Sequence, residues 1–496
     1  MIFDNFRRQL RKEAQLWQEE GLIDNNLYQQ LAQKYQFNSL ETAARDRFVF
    51  ILIAVGAILL GLGVITFVAA NWQAWSREVK ATLLLSIFLG TNITGFTLWN
   101  SSSNLPSRDR KRRRRVLGEG LLLLGALSIG ANMALLAQMF HIGGSSYQLY
   151  LGWGLAVLFM AYGLRLTSLS ILSLILFLIG YWVGIFDGNI SRSEWSWGRL
   201  IIEHMPLVIT GLFVPLAYWC RSLGIFRVTA IAFVIAWQFH LRSLQVLTYI
   251  NVSPWFAIAA FVLPPALLWS YNDRLFRPIN SLKFQPFAQA LGLVFLSVMF
   301  YMLSFRWVWE ARTVASANDL INTLLSNWLP LIDVAIFTLI ALWQWWELLR
   351  PNNRDCAERS TRGDTRSVKP LAYRQQTDIK TIVIGGLLIV TASIIFIHQA
   401  INPIPVLAIF AFNVLLAVFA CGLIRDGLEL GQRRAFWGGI VLLALQIISR
   451  MLEYETALLF KSLVFLVCGA AVIIAGLWFE RYLSSLPDAS SETHHS

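Results

Sequence analysis

Long apolar runs restrict the fold of this 496-residue chain more than any other feature of its sequence. A helix needs about 20 mainly apolar residues to cross the hydrocarbon core of a bilayer, where the backbone must satisfy its own hydrogen bonds. Only 14% of the residues are charged, against about 25% in soluble proteins. The sequence therefore predicts an all-α fold, a polytopic transmembrane helical bundle, and argues against a soluble multidomain protein.

Fourteen runs have the required length and are separated by polar or Gly/Pro-containing breaks. We place the predicted spans at 48–70, 79–99, 117–139, 148–164, 168–186, 200–220, 225–245, 255–271, 287–305, 328–347, 380–399, 404–424, 434–449 and 458–479. Only Arg165, Leu166 and Thr167 separate the fourth span from the fifth, so a count of 12 or 13 helices stays open. The first span follows a polar segment that lacks a small-residue cleavage site, which predicts a permanent anchor.

The positions of lysine and arginine predict the orientation, because cytoplasmic loops hold the excess of basic residues. With the N-terminus inside, 32 of the 41 basic residues fall in inner segments and nine in outer ones. This bias predicts that both termini are cytoplasmic and that the number of spans is even. The net charge of +12 is explained by topology, so it does not predict a nucleic-acid partner.

Composition also divides the chain into segments that lie outside the membrane and blocks that lie within it. We predict a cytoplasmic amphipathic helical hairpin at 1–47, a membrane block of about ten helices at 48–347, a flexible basic cytoplasmic linker at 348–379, a membrane block of about four helices at 380–482 and a disordered tail at 483–496. In the hairpin, Gly21 suits the left-handed residue that ends the first helix, and Asp24 suits the cap of the second. The hairpin is expected to dock on the bundle, with anionic lipid as the alternative.

An inner loop at 101–116 contains seven basic residues within 108–115. Such a cluster is typical of a segment that stays in the cytoplasm during insertion, and this is the favoured interpretation. The alternative is contact with anionic lipid headgroups, which gain about 1 kcal/mol for each basic residue near the surface. The lipid bilayer is the one partner that the sequence requires.

The sequence contains none of the common cofactor or metal motifs. No P-loop, no dinucleotide-binding glycine pattern and no H-E-x-x-H pair is present. The four cysteines, Cys220, Cys356, Cys421 and Cys468, lack the spacing of metal ligands. We therefore predict no cofactor, no metal site and no catalytic residue.

Several short stretches carry a family resemblance. They are Phe67-Val-Ala-Ala-Asn71-Trp72, Gly130-Ala-Asn132, Gln138-Met-Phe-His141-Ile-Gly143, the opening Trp17 with Gly21-Leu22-Ile23-Asp24, and Arg450 to Tyr454 with Lys461 and Glu480-Arg481. In these the chain resembles a family of bacterial membrane proteins known as domain of unknown function 2157, over about 1–165 and 445–482. The resemblance implies a bacterial inner-membrane location and no particular activity or site.

Ionisable groups within spans are functional candidates, because a charge at the bilayer centre costs about 2.5–3.5 kcal/mol on insertion scales. The predicted topology puts His240, Asp333 and His398, together with most of the candidate residues, near the outer ends of spans, while the midplane has no carboxylate. The candidate ligand-binding residues are Gln138, His141, Glu203, His204, Gln238, Arg242, Arg450, Glu453 and Lys461. This distribution favours an outward-facing polar vestibule over proton transfer through a midplane carboxylate.

Each candidate type has a chemical role in such a vestibule. Arg450 and Lys461 would attract an anionic or zwitterionic ligand, Glu203 or Glu453 would balance their charge, and histidines exchange protons near neutral pH. The competing interpretation is that each group lies close to an interface, where it is hydrated or snorkels.

Two further patterns allow more than one interpretation. Gln238, Arg242 and Gln245 recur on one face of span seven, which predicts contact with protein or water. Pro264 and Pro265 interrupt span eight, either to line a cavity with freed backbone groups or to form a packed kink.

The leading hypothesis is a transporter-like or flippase-like bundle for a small or amphipathic ligand. The alternatives are a membrane-embedded enzyme acting on a lipid-linked substrate at the outer face, and a scaffold or sensor that uses its cytoplasmic hairpin. A cavity past the midplane that includes Gln238 and Arg242 would favour transport, and a shallow cleft around a carboxylate would favour catalysis. The sequence leaves the oligomeric state open.

Overall fold

The structure is a computed structural model. It describes residues 10, 13–18, 20–34, 59, 66, 70, 74–101, 108–141, 143–186, 196–241, 254–273, 284–309, 329–349, 371–429, 431–453 and 457–485. Throughout these residues the regular structure is helical, as the sequence predicts.

The helices follow one another through the whole described chain. They are α1 (Asn25–Lys34), α2 (Arg77–Ser101), α3 (Arg108–Met139), α4 (Ser146–Leu164), α5 (Thr167–Phe186), α6 (Trp197–Glu203), α7 (Met205–Trp219), α8 (Leu223–His240), α9 (Pro254–Ser270), α10 (Gln285–Leu303), α11 (Arg306–Trp309), α12 (Leu329–Leu349), α13 (Leu371–Phe396), α14 (Pro405–Glu429), α15 (Arg433–Glu453) and α16 (Leu458–Ser485). A π-helical turn, Ile397–Ile401, extends α13.

Eleven of the described helices are long and apolar enough to cross a membrane. The pair α6 and α7, bent by 84°, supplies a twelfth crossing if it is one span, and α9 is apolar with 17 residues. The protein is therefore a polytopic helical membrane protein. Predicted spans two to fourteen each correspond to a helix or to the bent pair, whereas the first span lies outside the described residues except for three isolated positions.

Spans four and five are separate helices despite the three-residue break between them. Arg165 adopts a left-handed φ of 53°, and its backbone N–H donates to Ala161 O. A residue in this conformation ends a helix because it turns the chain away from the helical axis. The fourth and fifth predicted spans are therefore two separate helices.

Helix ends differ from the prediction where charged segments adjoin the spans. Helix α3 begins at Arg108, so 108–115 is helical and not the loop that the sequence predicted. Arginine and lysine are good helix formers, and Arg115 Nε also pairs with Glu119 Oε1 at 3.2 Å. In the same way α13 begins at Leu371, within the predicted linker, and α16 continues to Ser485, into the predicted tail.

The compact unit Met1–Leu89 contains the N-terminal hairpin. Gly21 has a φ of 71°, and Asp24 Oδ1 accepts a hydrogen bond of 2.8 Å from Leu27 N at the start of α1. Ala14 is buried against apolar residues on both sides of this turn, including Trp17 and Leu31. The turn and the cap thus have the chemistry expected from the sequence.

The second unit, Gly90–Ser496, contains two large hydrophobic clusters that meet at α8. One joins α3 to α8, and the other joins α8 to α15. The second cluster includes Phe300 and Phe337 from before segment 348–379 and Ile384 and Phe412 from after it. The two predicted membrane blocks therefore share one core, and 348–379 connects helices of that core.

Polar contacts group the helix ends into two sets. At the end that holds Asp273, the Tyr218 hydroxyl donates to Asp273 Oδ1 at 2.8 Å, and Lys380 Nζ pairs with Asp426 Oδ2 at 2.7 Å. We call this the Asp273 end and the opposite one the Asp333 end. These partners were predicted to lie on one side of the membrane, so the alternating direction of the spans agrees with their contacts.

Candidate functional site

Two histidines and an aspartate meet at the Asp333 end, and we refer to His204, His240 and Asp333 as the triad. His204 Nδ1 lies 2.6 Å from Asp333 Oδ1, and His240 Nε2 lies 3.7 Å from Asp333 Oδ2. When Asp333 is ionised, its carboxylate can only accept, so the proton of the short hydrogen bond resides on His204. The arrangement is a carboxylate with a protonatable ring on either side.

Each member of the triad occupies a helix end or a helix break. His204 is the residue at which α6 and α7 meet at 84°, with Pro206 in the first turn of α7. His240 is the last residue of α8. Asp333 is the fifth residue of α12, about 6 Å from its start at 1.5 Å per residue. The break at His204 lets this side chain approach a helix that is 129 residues away in the sequence.

The triad is almost completely buried. The side chain of Asp333 is 0% exposed, that of His240 6% and that of His204 16%. Asp333 Oδ2 and His240 Nε2 have no hydrogen-bond partner among the described residues. A buried carboxylate is costly unless it is protonated or paired, so the proton content of these three groups is coupled to their geometry.

An aromatic layer lies next to the triad on the side of the bundle interior. Trp237 precedes His240 by three residues, and its ring centroid is 6.4 Å from the His240 ring. Phe337 follows Asp333 by one turn and packs edge-on against Trp237 at 5.3 Å. Both aromatic residues are buried. His204, with 16% of its side chain exposed, is the most exposed member of the triad.

Glu203, beside the triad, is held by its own helix. Arg199 Nε donates to Glu203 Oε1 at 2.8 Å, and both side chains are largely buried. The carboxylate therefore has a fixed counter-charge one helical turn away. The sequence suggested that Glu203 would balance the charge of Arg450 or Lys461, whereas its partner in the structure is Arg199.

A second polar cluster at the Asp333 end surrounds Arg450. Arg450 Nη1 donates to Ser304 O at 2.8 Å and forms an ion pair with Glu453, while the guanidinium carbon lies 4.3 Å from the Phe305 ring centroid. Glu453 Oε1 accepts a 2.9 Å hydrogen bond from Arg306 N. Glu453, one of the two carboxylates proposed from the sequence to balance Arg450 and Lys461, thus pairs with Arg450, and the pair contacts the turn between α10 and α11.

Comparison with known proteins gives a match to a family of membrane proteins. Residues 15–170 match the family described as predicted membrane protein (DUF2157). The match confirms the resemblance over the N-terminal part of the chain, and it supports a multi-pass membrane protein. No curated protein and no solved structure matches the chain. The DUF2157 segment ends within α5, before the first residue of the triad.

Gln138 and His141 are the two candidate residues inside the DUF2157 segment. Helix α3 ends at Met139, so His141 lies beyond the helix, with a left-handed φ of 53°. Both side chains are exposed. His141 therefore does not continue the helix that holds Gln138, although the two residues are only three apart in the sequence.

Gln238 forms a hydrogen bond with the proline-containing helix α9. Because Pro264 has no N–H, it cannot donate to Ala260 O, the acceptor one turn earlier in α9. Gln238 Nε2 donates to this carbonyl at 2.9 Å. The Gln238 side chain of span seven thus replaces the backbone hydrogen bond that Pro264 removes from span eight.

Replacing Gln238 with leucine should destabilise the protein by about 2 kcal/mol, because it leaves a buried carbonyl without a donor. The cost should fall in a Pro264→Ala background, where residue 264 regains an N–H for Ala260 O. Unfolding by sodium dodecyl sulfate in mixed micelles of the four proteins in this cycle measures the coupling. Equal costs in both backgrounds would contradict the replacement of one donor by the other.

The remaining candidates fall outside both clusters. Lys461 lies in the first turns of α16, partly buried. Arg242 lies outside the described residues, as does Gln245 of the same predicted stripe. Among the described residues, no set of three His, Cys, Asp or Glu is arranged to hold a metal ion.

Asp333 is the central residue that sequence reasoning did not select, and His240 was considered but not chosen. The available signal was an aspartate within an apolar span, with two histidines predicted at the same membrane side. Spacings of three or four residues, such as that between Gln238 and Arg242, identify neighbours on one helix. They do not reveal a contact among α7, α8 and α12.

Proposed function

We propose that this protein is a transporter-like membrane protein in which the triad binds and releases protons. The observation that supports the proposal is the Asp333 carboxylate, fully buried between two histidines at a helix break. Broken helices with ionisable groups at the break are a recurrent design of transporter binding sites. When the triad loses a proton, it keeps an uncompensated charge in a buried environment. This charge favours a rearrangement of the protein or the entry of a cation.

Under this proposal the Asp333 end faces outward, as the distribution of lysine and arginine predicts. His204 exchanges protons with the outer solution and passes them to Asp333. The aromatic layer of Trp237 and Phe337 blocks proton movement from Asp333 toward the midplane. The ligand binds among the polar outer ends of the spans, which include Arg450 and Glu453. The enzyme alternative is less well supported, because Glu203 and Glu453 each have an ion-pair partner.

Infrared difference spectroscopy on the membrane-reconstituted protein tests proton binding. Wild type should show a pH-dependent carboxylic acid band that disappears in Asp333→Asn and remains in the matched control Asp426→Asn. Vesicles that contain the protein and a trapped pH dye then report proton movement during exposure to a panel of metabolites. The same band in wild type and Asp333→Asn, or the same proton movement, would refute the proposal.

A further inference from the structure

Helix α16 makes little contact with the other described helices of Gly90–Ser496. Leu458 and Leu466 are 83% and 72% exposed, and α16 packs closely on α15 only in its second half. There the rings of Phe436 and Phe479 stack with centroids 3.8 Å apart, next to Ile440. Above this stack, toward the Asp333 end, the two helices leave a lateral opening.

This opening is an apolar cleft, which we call the α15–α16 cleft. Its volume is about 470 Å³, and its walls are formed mainly by Ile440, Leu443 and Ile447 of α15 and by Leu463, Val467 and Ala471 of α16. The volume lies in the range of about 300–1,000 Å³ that small-molecule sites occupy. Almost no polar atom lines it, so it suits a hydrocarbon chain.

Two exposed arginines lie beyond the Phe436–Phe479 stack, on the same faces of α15 and α16 that line the cleft. Arg433 precedes Phe436 by three residues and Ile440 by seven, which places it on the same face of α15. Arg481 follows Leu463 by 18 residues, about five turns, and so returns to the helical position of a cleft residue. Both arginines lie at the Asp273 end, because α15 begins and α16 ends there.

We propose that the α15–α16 cleft binds an anionic phospholipid, with an acyl chain in the cleft and the phosphate at Arg433 and Arg481. An apolar cleft with positive charge farther along the same two helices, beyond the Phe436–Phe479 stack, is complementary to a negatively charged headgroup with a hydrocarbon chain. Arginine suits phosphate because its planar guanidinium donates two parallel hydrogen bonds. Basic sites between spanning helices on the cytoplasmic side recognise such lipids, and we expect the Asp273 end to be cytoplasmic. The proposal does not rest on proton binding by the triad.

Native mass spectrometry of the full-length protein in detergent tests the proposal with phosphatidylglycerol and phosphatidylcholine of identical chains. Each basic residue near the headgroup contributes about 1 kcal/mol, so wild type should retain phosphatidylglycerol about thirtyfold better than phosphatidylcholine. Arg433→Gln/Arg481→Gln should lose this preference. Arg165→Gln/Arg221→Gln, which removes two exposed arginines from turns at the same end, should keep it.

A second variant tests the chain-binding part. Ala471→Phe fills the cleft but retains both arginines, and it should reduce the binding of both lipids. Equal retention of the two lipids by wild type, or unchanged retention by Ala471→Phe, would overturn the proposal. A wild-type dimer that Ala471→Phe dissociates and that binds no lipid would also overturn it, because the occupant would then be a second copy of the chain.

Discussion

Replacing Asp333 with alanine should lower the free energy of unfolding by about 3–5 kcal/mol, the usual cost of removing one partner from a buried ion pair. The Asp333 side chain is fully buried, and its loss leaves His204 and His240 facing each other without an acceptor. Unfolding by sodium dodecyl sulfate in mixed micelles, monitored by tryptophan fluorescence, measures this change.

The matched control is Asp426→Ala. Asp426 also contacts one cation, Lys380 at 2.7 Å, but its side chain is 33% exposed. Exposed and partly exposed pairs contribute about 0–1 kcal/mol, so this variant should be much less destabilised. Similar losses for the two variants would mean that the triad stabilises the protein no more than a surface ion pair.

Replacing Gly427 with alanine should destabilise the protein by about 3 kcal/mol, at the upper end of the cost of overpacking. A methyl group at Gly427 would lie 2.7 Å from Phe436 Cα, and Phe436 belongs to the adjoining helix α15. Backbone atoms of α15 would have to move, because no flexible side chain can turn aside. Close helix approach at small residues is a usual feature of membrane bundles.

Gly422→Ala on the same helix serves as the control and should not lower the stability. No described atom lies within 4 Å of the methyl group that this change introduces. Alanine exceeds glycine in helix propensity by about 1 kcal/mol, so the variant should be neutral or more stable. Destabilisation by both glycine replacements would show that helix contact at Gly427 is not the cause.

The sequence predicts the elements of this protein well, because each span needs only a local apolar run of sufficient length. The turn at Gly21 and the cap at Asp24 are equally local, and both occur as predicted. The pairing of Arg450 with Glu453 follows from their i, i+3 spacing. Properties of a single helix are thus readable from the order of its residues.

Contacts between distant helices are not readable in this way. Asp333 meets His204 across 129 residues, and Ser304 O, which binds Arg450, has no side-chain signature. Gln238 was recognised as part of a polar face, but its partner is a backbone carbonyl exposed by Pro264. From composition, segment 348–379 was predicted to divide two membrane blocks, whereas helices from before and after this segment pack in one core. Such pairings are decided by helix arrangement, which periodicity does not encode.

The shared core has a consequence for the order in which the protein is made. Helix α9 is buried along most of its length, yet Gln344, which accepts from the Ser270 hydroxyl, and Thr381, which accepts from the Trp269 indole, emerge from the ribosome more than 70 and 110 residues later. During synthesis α9 must wait beside lipid or the insertion machinery until α12 and α13 arrive. A nascent chain stopped before Leu371 should therefore expose α9 to crosslinking that the finished protein prevents.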